Sequence, residues 1–269
     1  MEPSNFASKD DSVSSEETLS GGFFLTQPVV IPKLERIPPQ GFLTVSKCLG
    51  EFVPDDWVYW NPEDRRAERA ERARALGIEL GVLDFLKAWC TEQFKERRTL
   101  GYPNIIFDIQ IARALVEHVL GSHSQHLTLL GIGLPFRVSG EFFQRLKPVT
   151  RGSSEISLGV PTMLQSGMTI PDGGDSLGFD ALGYEPHDGT FHSSKCYKVD
   201  DSEISQISFN DYGYCATFSE ATKLCAIHSK GSAEEIVWLP WEIRRYPITS
   251  NRLEDSHLAR EGRHQVDGA

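Results

Sequence analysis

The stretch from Gly178 to Tyr197 restricts the fold more than any other part of the chain. Phe179, Leu182 and Tyr184 suit a strand, the run Pro186-His187-Asp188-Gly189 demands a turn, and Phe191 brings the chain back toward a core. A hairpin over residues 179–197 is predicted, with His187 and Asp188 at its tip. Acidic, imidazole and thiol groups are also densest in this stretch, so the candidate binding residues are Glu185, His187, Asp188 and His192.

Two chemistries compete for that loop with a bland reading. His187, His192 and Cys196 follow at spacings of five and four and form an alternative metal-ligand set, with Cys225 and His228 as a further pair. Structural zinc ordinarily shows two close-spaced ligand pairs, and the first group has no tight cysteine pair, so no metal is expected. Cys196 and His192 could act as nucleophile and base if the segment were helical, but its aromatic flanks favour a strand, where positions four apart are beyond hydrogen-bond reach. The bland reading is a loop histidine and a buried thiol. No phosphate-cradling loop is present either: Gly131-Ile132-Gly133 and Gly173-Gly174 lack the remaining glycine and lysine positions. No catalytic residue and no cofactor is expected.

Charge narrows the partners. Lys plus Arg number 27 against 38 Asp plus Glu, a formal charge of −11, which repels a phosphate backbone and an anionic membrane surface but steers a basic protein inward. No apolar run approaches the roughly 20 residues that span a bilayer, and the acidic, Ser-rich start does not read as a secretory leader. Five cysteines without a CxxC pair argue against a disulfide framework, so a cytoplasmic location is expected.

Along the chain, residues 1–20 read as a disordered acidic tail, 21–150 as an N-terminal lobe, 151–250 as a C-terminal lobe and 251–269 as a frayed polar tail. In the first lobe, Asn61-Pro62 opens helical pattern that runs, with glycine punctuation, over residues 62–98. Asp108 caps a helix with Ile109, Ala112, Leu115, Val116, Val119 and Leu120 on its buried face. The apolar run 127–134 reads as a strand buried on both faces. Ser139 and Ser219 are expected helix caps, Asn210 to Gly213 a turn, and Pro240 a break between two closing strands. The fold class expected is α+β: a helical N-terminal lobe around a buried strand, and a mixed C-terminal lobe holding the hairpin.

Gly178 to Tyr184, then Phe191-His192-Ser193 and Cys196, and a later Trp241-Glu242-Ile243 strand resemble a pattern in small bacterial immunity-type proteins of polymorphic toxin systems. Looser similarity extends to the segment from Trp57 to Trp60 and the helix between Pro103 and Val119. The resemblance implies a non-enzymatic inhibitor that binds a cognate toxin, here a basic protein, and occludes its active site. It carries over no individual binding residue. The alternative from a different class is a metal-dependent or Cys/His hydrolase centred on residues 187–196.

Overall fold

A computed structural model describes residues 17–28, 41–46, 52–53, 88, 100–101, 105–120, 127–146, 159–186, 189–197, 201–231 and 235–248. Among the described residues, eight strands pair antiparallel in one sheet: β1 (Thr18–Thr26), β2 (Phe52–Val53), β3 (Leu100–Gly101), β4 (Ile105–Ile106), β5 (Thr128–Pro135), β6 (Asp175–Glu185), β7 (Thr190–Ser193) and β8 (Val237–Tyr246). Their order is β3-β4-β1-β5-β8-β6-β7, with β2 added beside β1, and the sheet curls into a half-barrel. Short helices pack on it: α1 (Ile109–Ala114), continuing as π-helical turns over Leu115–Leu120, then α2 (Phe136–Leu146), α3 (Val160–Gln165), α4 (Asp201–Ile204) and α5 (Phe218–Gly231).

This corrects the α+β expectation of a helical N-terminal lobe around one buried strand. The run at 127–134 is indeed a buried strand, but its neighbours are β1 and β8 rather than helices, with Leu130 opposite Phe24 on one side and Arg245 on the other. The physical reason is long-range pairing. The expected helix over 62–98 lies, apart from Ala88, outside the described residues, as does the segment from Trp57 to Trp60. The helix capped by Asp108 is present, with Asp108 Oδ1 accepting from the Gln110 amide at 2.7 Å.

β1 begins at Thr18, inside the stretch expected to be disordered, because Thr18 and Leu19 pair with Pro135 and Leu134 of β5. It is an internal strand rather than an edge. β8 is continuous through Pro240, correcting the expected break. The ladder with β5 covers only Glu242 to Tyr246, so Pro240 lies where β8 has a strand neighbour on one side, and the missing N–H is tolerated there. Arg145 of α2 fills that notch, donating from Nη1 to the Trp238 carbonyl at 2.9 Å and from Nη2 to Ser229 of α5.

Strand alternation divides β6 and β8 between two cores. Leu182, Tyr184, Leu239, Trp241 and Ile243 face one side with Phe24, Phe142, Phe191 and Tyr214, beneath α2, α3 and the segment 41–46. Ala181 and Trp238 face the other with Cys215, Ala221, Leu224 and Cys225, beneath α5. Thr217 Oγ1 caps α5, accepting from the Glu220 amide, two residues ahead of the expected Ser219. The hairpin connects both cores: β6 and β7 pair from Leu182 opposite Ser193 to Glu185 opposite Thr190. Beyond β7, the turn from Asn210 to Gly213 leads Cys215 back against Phe179, extending the edge.

A bulge between Ser176 and Gly178 shifts the register of β6 on β8 and leaves Gly178 at φ 115. A Cβ there would lie 2.7 Å from the Cys215 carbonyl oxygen, a backbone atom that the ladder holds in place. Gly178→Ala is expected to destabilise the protein by about 2 kcal/mol or more. Gly140→Ala, with nothing within 4 Å of the new Cβ on the exposed face of α2, is expected to stabilise it by about 0.5–1 kcal/mol. Urea unfolding of the two variants beside wild type checks both signs; equal midpoints would show that the bulge is not constrained.

Candidate functional site

The hairpin carries one polar row on each face, and strand parity sorts them. Thr190 and His192 of β7 stand opposite Glu185 and Gly183 of β6, on the α5 side. There the His192 ring, 7% exposed, places Nε2 2.8 Å from Glu185 Oε2 and Nδ1 3.5 Å from the Tyr197 hydroxyl. Thr190 Oγ1 donates to the same Glu185 oxygen at 3.4 Å. Glu185 keeps 29% of its side chain exposed, so one end of this row is wet and the other is dry.

The dry end is aromatic. Tyr197 meets both Trp238 and His228 edge-on, and His228 stacks on Trp238 at 4.6 Å between ring centres with 23° between planes. His228 is buried on α5, and burial pushes its imidazole down to about 4, so it is neutral in the fold at pH 7. His228 Nε2 and Trp238 Nε1 are buried without a hydrogen-bond partner among the described residues.

The opposite face of the hairpin holds the second row. Asp180 shares the parity of Leu182 and is 2% exposed; its Oδ2 accepts from Ser193 Oγ at 3.0 Å and its Oδ1 from Ser194 Oγ at 3.5 Å. Lys195, on the single 3-10 turn Ser194–Cys196 that follows β7, brings Nζ to 3.9 Å from Asp180 Oδ1. Burial raises the Asp180 carboxyl and lowers the Lys195 amine, with their mutual attraction working the other way on each. The segment 41–46 closes over this row: Phe42 lies under Nζ, the Tyr214 hydroxyl donates to the Leu43 carbonyl, and Thr26 Oγ1 donates to the Thr44 carbonyl.

Of the residues singled out from the sequence, Glu185 and His192 are therefore brought together directly. His187 and Asp188 lie outside the described residues. Cys196 Sγ lies 2.8 Å from Ser46 Oγ, while the His192 nitrogens are engaged by Glu185 and Tyr197. Among the described residues, no group of three or more His, Cys, Asp or Glu side chains is arranged to hold a metal ion. Sequence reasoning missed Asp180, Lys195 and the partners Tyr197 and Trp238, while His228, read there as one of a ligand pair with Cys225, instead stacks on Trp238. For Asp180 a signal existed, since it alternates in phase with Leu182 and Tyr184 and so belongs on their buried face.

No family model, no curated protein and no solved structure matches the chain. No helix among the described residues is long and apolar enough to cross a membrane.

His228 gives this site a pH dependence of definite sign. Its folded pKa lies below the unfolded value, so unfolding takes up a proton between pH 6.5 and about 4. Its contribution is complete above pH 6.5 and is lost as the pH falls to about 4, amounting to about 3 kcal/mol. His228→Phe, which keeps a ring on Trp238, should remove that slope. Urea unfolding at intervals from pH 4 to 7.5 measures the wild-type-minus-variant difference; a difference that stays flat across the window rules the assignment out.

Proposed function

We propose that the protein is a non-enzymatic, cytoplasmic protein-binding module of immunity type, which neutralises a basic toxin protein by covering its active site. The observation that carries this reading is Glu185. Its carboxylate sits at the mouth of the hairpin turn, held by His192 Nε2 at 2.8 Å and Thr190 Oγ1 at 3.4 Å while remaining partly exposed. An anionic group fixed before the partner arrives loses little rotamer freedom on binding, so its attraction for a Lys or Arg side chain is retained in the complex. The net charge of −11 supports the same class of partner by raising the rate of encounter. His192 acts here as a positioning residue for Glu185, and the hairpin tip is the segment that would enter the partner's cleft.

The test uses the purified full chain and the purified product of the gene adjacent to its own, inactivated by substitution in its active site. Titration calorimetry should give a complex that weakens as salt rises, and Glu185→Gln should weaken it by about tenfold, corresponding to one charge-assisted contact. Binding is measured well below the unfolding temperature of each variant, so that lost stability does not pass for lost affinity. An adjacent product that does not bind, or binding indifferent to both salt and Glu185→Gln, would refute the reading.

A further inference from the structure

The second polar row contains chemistry that a binding role leaves unused. Lys195 Nζ is buried, lies 3.8 Å from the centre of the Phe42 ring and 5.5 Å from those of Phe209 and Tyr214, and has no hydrogen-bond partner among the described residues. At 3.9 Å, Asp180 Oδ1 is beyond hydrogen-bond reach of the amine, although it is its nearest charge partner. A primary amine and a carboxyl group thus face each other in a buried site roofed by aromatic rings, Asp180 on β6 and Lys195 on the turn that follows β7. Both reactants belong to the chain, so the site needs no opening for a ligand.

We propose that Lys195 and Asp180 are a self-crosslinking pair, in which Nζ condenses with the Asp180 side-chain carboxyl to give an amide bond between β6 and the turn after β7. From the ion pair, one proton first passes from Nζ to the carboxylate. The Nζ lone pair then forms the new bond at Cγ, and the bond from Cγ to Oδ1 breaks. Oδ1 leaves as water, taking the carboxyl proton and one of the two remaining amine protons, while the other stays on the amide nitrogen. No oxidant, reductant or activated carrier is consumed.

Three features favour this step. Burial pushes the acid up and the amine down, toward the neutral forms from which the attack proceeds. Ser193 Oγ donates at 3.0 Å to Oδ2, the oxygen that carries negative charge in the tetrahedral intermediate, and so stabilises that charge as it develops. The hairpin holds the groups at an effective concentration that reaches about 10⁵ M or more in well-oriented intramolecular reactions, and the dry cage opposes the reverse hydrolysis. The Cys215 thiol, pushed up to about 12 by burial, stays protonated at neutral pH and does not compete as a second anion for the amine.

The inference stands apart from the binding role and is tested without a partner. Purified full-length protein, incubated at neutral pH and then denatured, is weighed by mass spectrometry. The mature chain should weigh one water less than its sequence. Trypsin should fail to cut after Lys195, and a chymotryptic cut at Tyr184 or Phe191 should leave the pieces bearing Asp180 and Lys195 joined in one mass. Lys195→Arg should carry its full sequence mass. A wild-type chain at full mass, a lost water mapped elsewhere, or a water still lost from Lys195→Arg would each overturn the crosslink. The wild-type measurement decides even if a variant fails to fold.

Discussion

The sheet depends on one strand that comes last among the described elements. β8 lies between β5 and β6, so the ladder that joins residues 128–135 to residues 175–185 runs through residues 237–246. Leu129 pairs with Tyr246, and β6 with all its connections lies in the sequence between them. Contacts of this sequence separation form only after loop-closure entropy has been overcome, which makes such a sheet slow to assemble and cooperative once assembled. Trp238 and Trp241, both essentially inaccessible, each belong to the core on one face of β8. Both cores are therefore completed by the same ten residues.

Inside that frame, the polar groups of the hairpin are costly to bury, and each is placed where geometry limits the cost. Asp180 receives two hydroxyl donors, which offsets part of its desolvation. Lys195 has no comparable set of acceptors and relies on ring faces and a distant carboxylate, an arrangement that is not the most stable use of a buried position. Leaving one member without the other strands a charge or forces its neutralisation, whereas apolar replacement of both is usually tolerated. On stability alone, then, the pair is hard to explain.

What the sequence disclosed and what it concealed follow from the range of the interactions involved. The hairpin was legible from Pro186 to Gly189 because turn chemistry is local, and the strand at Leu129 to Leu134 because an unbroken apolar run needs cover on both faces. Asn210 announced its turn for the same local reason: its Oδ1 accepts from the amides of Tyr212 and Tyr214, and Gly213 adopts φ 78. The Glu185–His192 contact was half visible, since both residues were singled out but their cross-strand approach depends on register. Pro240 misled because proline tolerance is decided by which neighbour is absent, and that is set by where β5 leaves β8. The fold class failed on the same point. Helical periodicity in the N-terminal half is a local signal, whereas the sheet membership of Thr18 to Thr26 is conferred by partners more than a hundred residues away.

Rigidity of the hairpin follows from its being held on both faces at once. On the α5 side, His192 and Tyr197 join the Glu185 end of the turn to the Trp238–His228 stack; on the other, Ser193, Ser194 and Lys195 converge on Asp180 under the cover of Phe42. A hairpin fixed on one face only can pivot about its strand axis, because the free face offers no resistance to a change in twist. Fixing adjacent residues, His192 and Ser193, to opposite cores removes that motion, since any rotation that relaxes one contact compresses the other. The turn between Glu185 and Thr190 is thus carried on a base with little freedom. Glu185, at the junction of base and turn, is the one member of either row with a substantially wet carboxylate. The features that make the hairpin costly to build are the same ones that hold Glu185 in a fixed position at its mouth.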